Sequence, residues 1–150
     1  VDDVSRLVFL HLRPHTLKLG WTDSAVRRYV RDAGDLLDRL NELVRCDVTT
    51  ANPRRERAIQ NGIDELEERI AELAVKEELA KLRAPIDGND AMSYLGIDPG
   101  PLVGEVMDVL LEKRIEDGPY SRAEAFETAR SWALSRGMAD PGPIPADEDE

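Results

Sequence analysis

The chain has 150 residues, 41% hydrophobic and 34% charged, a composition that suits one ordinary core or two small ones and excludes disorder throughout. Its net charge of −11 speaks against a uniformly polyanion-binding surface, yet residues 1–60 carry 11 Lys/Arg against 9 Asp/Glu while residues 61–150 carry 9 against 22, so the acid is concentrated in one part. The lone Cys46 can build neither a disulfide framework nor a cysteine-based zinc site and points to a reducing cytoplasm, and no apolar run approaches the roughly 18–20 residues of a membrane span.

The chain opens "VDDVSRLVFLHLR", without Met and inside a helical pattern, which reads as a piece of a longer protein. Apolar residues at 4, 7, 8, 9, 10 and 12 predict a mostly buried first helix that stops before Pro14, because proline cannot continue the hydrogen-bond ladder. "PHTLKLGW" then connects. Thr22 is a suitable N-cap for a second helix through about Ala33, and Gly34 supplies its stop. From Val4 to Arg31 the basic residues Arg6, Arg13, Lys18, Arg27, Arg28 and Arg31 are opposed by Asp23 alone, a local field that attracts phosphate even when the total charge repels it. A solvated basic face accounts for the same run equally well. In "DLLDRLNELVRCDV", Leu36, Leu37, Leu40, Leu43 and Val44 fall on one face of a third helix, and residues 1–51 form a first bundle.

Asn52 before Pro53 is an N-cap followed by proline at the first helical position. Ile59, Ile63, Leu66, Ile70 and Leu73 recur at the spacing of a helix–helix seam, so residues 52–84 read as a rod of about 30 residues connecting two bundles. Glu65 with Arg69, Glu72 with Lys76 and Glu77 with Lys81 add i,i+4 pairs along it. "RAPIDGND" breaks the rod, Asn89 caps a short helix through Leu95, and Gly96 ends it. A helix from about Pro101 to Glu116 turns Leu102, Val103, Val106, Met107, Leu110, Leu111 and Ile115 inward. Ser121 and Glu124 form a capping box for a last helix through Arg136, closed by Gly137 and lined by Phe126, Ala129, Trp132 and Ala133. Residues 85–137 make a second, smaller helical subdomain, and from Met138 the Pro- and acid-rich "ADPGPIPADEDE" predicts a disordered tail over 138–150. The fold class is all-α, a helical bundle with a long central helix.

Catalytic signatures are sparse. His11 and His15 are four apart, but Pro14 between them prevents one helix from presenting both to a metal. Neither a G-x-S-x-G elbow nor a G-x-x-x-x-G-K-[ST] phosphate loop occurs. The stretch "YLGIDPGPLVGEVM", residues 94–107, survives this elimination. Gly96 suits a left-handed helix end, Pro99 and Pro101 stiffen the turn, Gly100 lets backbone approach a ligand, and Pro101 opens a helix whose free N–H groups point outward. The turn resembles the helix-hairpin-helix element that holds a nucleic-acid backbone, with the usual G-h-G order only approximated. A plain tight turn, with Gly104 letting two helices approach, fits the same residues.

Three segments in order, "FLHLRPHTLKLGWTDSAVRRYVRDAG", "LVRCDVTTANPRRERAIQ" and "PIDGNDAMSYLGIDPGPLVGEVMDVLLEKRIEDG", resemble the C-terminal helical part of bacterial, actinobacterial-type CCA-adding tRNA nucleotidyltransferases and their poly(A) polymerase relatives. The likeness covers about residues 1–135. It is carried most by Gly88, Gly96, Pro99, Gly100, Pro101, Gly104, Glu112 and Gly118, which match the family pattern over the third segment. The resemblance implies a neck, body and tail that carry the acceptor and T arms of tRNA, with Mg²⁺, ATP and CTP bound by a separate N-terminal head domain. No "GGxVRD" with a following D-x-D is present, so this chain is not expected to add nucleotides by itself. It also implies an HD-domain remnant, in which Asp47 stands where a last metal-ligand aspartate would fall, its partners lying upstream. Candidate RNA contacts are Lys18, Arg27, Arg28, Arg31, Arg54, Arg55 and Arg57 for phosphates, and Gly96, Gly100 and Gly104 for backbone amides. A helical interaction module that forms a homodimer through the Ile59–Leu73 seam, without RNA, is the alternative from another class.

Overall fold

The computed structural model describes residues 2–13, 21–47, 51–77 and 82–146. Every regular element among them is helical, and the protein is all-α. In order they are α1 (Asp2–Leu10), α2 (Asp23–Ala33), a 3₁₀ turn (Gly34–Leu36) running into α3 (Leu37–Cys46), α4 (Pro53–Glu77), α5 (Gly88–Leu95), α6 (Pro101–Asp117) and α7 (Arg122–Ser135). They fall into two compact units, Val1–Ala80 and Lys81–Glu150. Among the described residues, no helix is long and apolar enough to cross a membrane.

In the first unit the helix starts are set locally. Thr22 Oγ1 accepts from Ala25 N at 3.2 Å, and Asn52 Oδ1 accepts from Arg54 N at 3.0 Å just ahead of Pro53, which satisfies donors that have no partner inside the helix. Val26, Tyr29 and Ala33 of α2 meet Leu36, Leu40 and Val44 from the 3₁₀ turn and α3, and Ile63, Leu66 and Leu73 of α4. Each large side chain so buried contributes about 1.5–3 kcal/mol. Of the five seam residues of α4, Ile63, Leu66 and Leu73 are buried, with α2 and α3 packed on that helix, while Ile59 and Ile70 are half-buried. Tyr29 is buried with its hydroxyl donating to Asn41 Oδ1 at 2.8 Å, and burial raises its pKa.

Of the charges expected to pair along α4, Arg69 and Glu77 are used between helices instead, and Lys81, the expected partner of Glu77, lies outside the described residues. Arg69 binds Asp23 of α2 rather than Glu65. Glu77 accepts a bidentate contact from Arg27, Nε to Oε2 at 2.8 Å and Nη2 to Oε1 at 2.9 Å. These two side chains are only 6% and 3% exposed. From α3, Arg45 reaches Asp64 at 2.6 Å and Glu67 at 2.8 Å. An exposed i,i+4 pair is worth a few tenths of a kcal/mol, whereas a bidentate pair removed from water is held far more strongly once its desolvation has been met.

The first helix differs from expectation. Of its apolar residues only Leu10 is buried, while Val4, Val8, Phe9 and Leu12 are 63%, 56%, 76% and 55% exposed. An apolar segment with hydrophobic residues around most of its circumference does not reveal which side is covered, and α1 meets α2 and α3 along one side only. Arg6 and Arg13 tie it to the carbonyl and carboxylate of Asp32, and His11 Nε2 lies 3.1 Å from Asp47 Oδ2.

In the second unit α5, α6 and α7 pack on one another around Ile86, Ala91, Val106, Leu110, Ala125, Phe126 and Ala129. The cap of α5 is Asp87, not Asn89: Asp87 Oδ1 accepts from Asp90 N at 2.9 Å and Asp90 Oδ2 accepts from Asp87 N at 3.1 Å. This reciprocal box satisfies two donors at once and starts the helix earlier. The Ser121–Glu124 box of α7 forms as expected. Gly88 marks a close approach, since a Cβ there would lie 3.3 Å from Val103 Cγ1. Leu102, expected inside, is 37% exposed.

The segment from Met138 to Ala146 is not the free tail expected. Arg130 grips Asp140 through Nε at 2.9 Å and Nη2 at 2.7 Å, Tyr94 Oη donates to the Gly142 carbonyl at 3.0 Å, and Ile144 packs against the core. One apolar anchor and a bidentate pair outweigh the composition, and prolines 141, 143 and 145 lower the entropy lost on ordering. Residues 147–150 lie outside the described residues.

Two outcomes follow. Arg27→Ala, which strands a buried carboxylate, should lower unfolding free energy by about 3–5 kcal/mol in urea titrations, and pairing it with Glu77→Leu should recover most of the loss. Asp140 has its pKa lowered by the Arg130 guanidinium and the Gly142 amide, so its tie is present above the ordinary carboxylate pKa and is lost as pH falls through the lowered one. Asp140→Asn at neutral pH, or wild type in acid, should expose residues 138–146 to hydrogen exchange before the core of the unit opens.

Candidate nucleic-acid interface

The fold sorts the basic candidates. Arg27 is a correction: its guanidinium is spent on Glu77 inside the first unit, so it cannot also face a phosphate without stranding that carboxylate. Arg28 is half-buried and already engaged within the fold. Arg31 points outward, its side chain 40% exposed and its pairing with Asp32 loose at 3.9 Å. Lys18 lies outside the described residues.

Arg54, Arg55 and Arg57 are exposed on the first turns of α4, where Glu56 is the acid of the first turn. Among the described residues none of the three has an ion-pair partner. Their charges stand at the positive end of the helix dipole, which costs each up to about 1 kcal/mol and is relieved by an anion. The pairs Asp23–Arg69 and Arg27–Glu77 show α2 running in the same sense as α4, which carries Arg31 toward the C-terminal end of α4. At 1.5 Å per residue, the stretch from Arg57 to Glu77 is roughly 30 Å. The fold thus holds Arg31 and the Arg54, Arg55 and Arg57 group at opposite ends of α4.

In the second unit Gly96 has φ 65°, ψ 37° and closes α5 with its N–H on Met92 O at 2.9 Å, the left-handed stop expected of it. The turn to Leu102 is exposed apart from half-buried Ile97. The start of α6 has no side-chain cap and no acid in its first turn, with Pro101 at N1. The starts of α2, α5 and α7 are capped by Thr22, Asp87 and Ser121. Pro101 has no N–H and the Val103 N–H already donates to the Gly100 carbonyl at 3.1 Å, so of the first three positions of α6 only Leu102 has an amide left for a ligand, and Asp98 is the one acid of the turn. Gly100 is extended at φ 162°, which any residue adopts, and a Cβ at Gly100 or Gly104 would meet nothing within 4 Å. The expectation that Gly104 lets helices approach is thus corrected; the glycine that does so is Gly88. Gly62 in α4 has open space too, so openness alone does not mark a ligand; what sets Gly100 and Gly104 apart is the uncapped helix start they flank.

Asp47 Oδ2 lies 3.1 Å from His11 Nε2, and among the described residues no three His, Cys, Asp or Glu side chains converge on a metal position. Two grooves were not legible in the sequence, because each gathers residues far apart along the chain. One of about 430 Å³ in the first unit is lined by Asp38, Glu42 and Glu67 with Arg45, a predominantly acidic wall that repels phosphate. Another of about 380 Å³ in the second unit has Arg83 and Arg122 on its rim beside Asp87 and Asp90, and Arg122 already bonds Asp90 at 3.3 Å.

No protein-family model matches the chain, and no solved structure matches it. It is similar to the A-adding tRNA nucleotidyltransferase of Deinococcus radiodurans, 34% identical over 140 residues that cover 87% of this chain and 30% of that protein. The chain thus spans under a third of the length of that relative, and the likeness supports the tRNA nucleotidyltransferase family.

The glycines give a stability test. Gly104→Ala should stabilise the second unit by about 0.5–1 kcal/mol, as expected for an unpacked helical glycine. Gly96→Ala should destabilise it by about 1–2 kcal/mol through its positive φ. Denaturant midpoints of the two variants check both signs.

Proposed function

We propose that this chain is the tRNA-holding helical part of a tRNA nucleotidyltransferase, and that nucleotide addition is carried out by a catalytic head elsewhere in the same polypeptide. The observation that carries this is the likeness to the Deinococcus radiodurans enzyme over 87% of the chain. The surface chemistry agrees with it. An A-form helix hides the base edges of its major groove, so a protein that holds any tRNA grips phosphates and 2′-hydroxyls. Arg31, Arg54, Arg55 and Arg57 supply cations for that grip, and the uncapped start of α6 supplies the Leu102 amide.

The reaction we assign to the parent protein is addition to the tRNA 3′ end, either the whole CCA or, as in the relative's name, the A. Poly(A) addition is the alternative within the same class. Mg²⁺, ATP and CTP belong to the head. Asp47 has only His11 beside it, and among the described residues no third metal-ligating side chain joins them, so no catalytic step is assigned to these residues. A cytoplasmic location accompanies this function. The interaction-module alternative is the weaker reading, because Ile63, Leu66 and Leu73 of the α4 seam are buried within the chain.

Binding of a tRNA acceptor minihelix to the chain across a salt series tests the grip. Affinity should fall steeply with salt, and Arg54→Ala/Arg55→Ala/Arg57→Ala should flatten the log–log slope by about 2–3 and weaken binding at least tenfold, equally for unrelated stem sequences. A salt-independent affinity would contradict phosphate contact. Offering the full-length protein tRNA that lacks CCA, or lacks only the last A, separates the two additions.

A further inference from the structure

The groove of about 430 Å³ in the first unit has no part in the RNA-holding role, because its acids repel phosphate. It runs between α3 and α4 and has the size of a small-molecule site. Its floor is apolar: Leu37 and Ile70 are half-buried, and Ala71 lies beside them. On one wall Asp38 and Glu42 are exposed one helical turn apart, about 6 Å along α3. Among the described residues neither has an ion-pair partner. On the other wall Glu67 is held by Arg45 at 2.8 Å. These three carboxylates against one guanidinium leave the groove negative, so a ligand that suits it is a cation.

Charge alone does not select a ligand, since an acidic helix face is commonly just solvated. Asn41 supplies the selection. It lines the groove, yet it is only 9% exposed. Its Oδ1 accepts from the buried Tyr29 hydroxyl at 2.8 Å, while its Nδ2 has no hydrogen-bond partner among the described residues. Glu67 lies near the same end of the groove: burial first, and then the Glu67 charge, raises the pKa of Tyr29. A buried donor left unpaired is costly, so a ligand that sets an oxygen against Nδ2 is favoured over one that cannot. A plain aliphatic polyamine has donors only; it meets the carboxylates and leaves Asn41 unanswered. We propose that the groove binds an organic dication with an oxygen acceptor between its ammonium groups, the chemistry of an aminocyclitol or amino sugar. Its ring lies on Leu37, Ile70 and Ala71, its ammonium groups meet Asp38 and Glu42, and a hydroxyl oxygen accepts from Asn41 Nδ2. This site stands apart from the nucleotidyltransferase reading, because it uses none of the residues assigned to RNA.

Calorimetric titration of the 150-residue chain with deoxystreptamine, a ring diamine that bears hydroxyls, tests the site beside trimethylenediamine, which has two charges and no oxygen. The Asn41 side-chain amide is followed by NMR in the same titrations. Deoxystreptamine should saturate one site and shift the Asn41 Nδ2 resonances, and the plain diamine should bind about tenfold more weakly. Asp38→Asn/Glu42→Gln should weaken both ligands about tenfold while leaving Tm within about 2 °C, as expected of exposed positions. Asn41→Asp keeps an acceptor for Tyr29 and removes the donor, so it should erase the preference for the hydroxylated ligand. Equal affinities in the wild-type chain overturn the proposal in favour of general attraction to acid. Binding that never saturates, or Asn41 resonances that stay in place, overturns it as well. Affinity unchanged by Asp38→Asn/Glu42→Gln does the same, by putting the ligand elsewhere.

Discussion

The first unit is organised around one buried contact, the bidentate pair of Arg27 with Glu77. Two opposite charges this far from water are tolerated only when each satisfies the other with good geometry, so α2 can pack on α4 in one register and one rotation. With Arg27 turned inward, Val26 and Tyr29 reach the core on adjacent positions, while Arg31 stays at the surface. A contact that reads from the chain as a ligand-binding charge is thus the device that decides which neighbouring charges are left for a ligand.

The same logic runs through the other ion pairs. Arg13 pairs with Asp32, Arg27 with Glu77 and Arg45 with Asp64 and Glu67, so part of the positive charge of residues 1–60 neutralises acids within the unit. Among the described residues of that stretch Arg31, Arg39, Arg54, Arg55 and Arg57 remain outward. An acidic chain can hold a polyanion in this way, because the field near an unpaired guanidinium is local and falls off within about 10 Å at ordinary salt. In the proposed function the second unit acts by another route, since an amide at an uncapped helix start such as that of Leu102 needs no basic side chain to meet an anion.

Local features were legible from the sequence because their causes lie within four residues. The stops at Gly34 and Gly96, the caps at Thr22 and Asn52, the Ser121–Glu124 box and the all-α class follow from short-range sterics and hydrogen bonding. The cap of α5 was misplaced by two residues because Asp87 and Asn89 have nearly equal capping strength, and the reciprocal bond from Asp90 decides between them. The segment resemblance, too, is a property of order along the chain, and the likeness to the Deinococcus radiodurans enzyme supports it at the level of the tRNA nucleotidyltransferase family.

Residue order by itself determined the helical elements, the stiff Gly–Pro turn and the excess of positive charge near the beginning. Only tertiary structure decided that Arg27 faces Glu77, that the Val4–Phe9 side of α1 is bare, that Gly104 packs on nothing and that residues 138–146 are anchored by Asp140 and Ile144. Each of these depends on a partner from another element, 50 residues away for Arg27 and 10 for Asp140. Whether a charge is buried, or an apolar side covered, is set by what the fold brings opposite it, and the periodicity of a single helix carries no information about that.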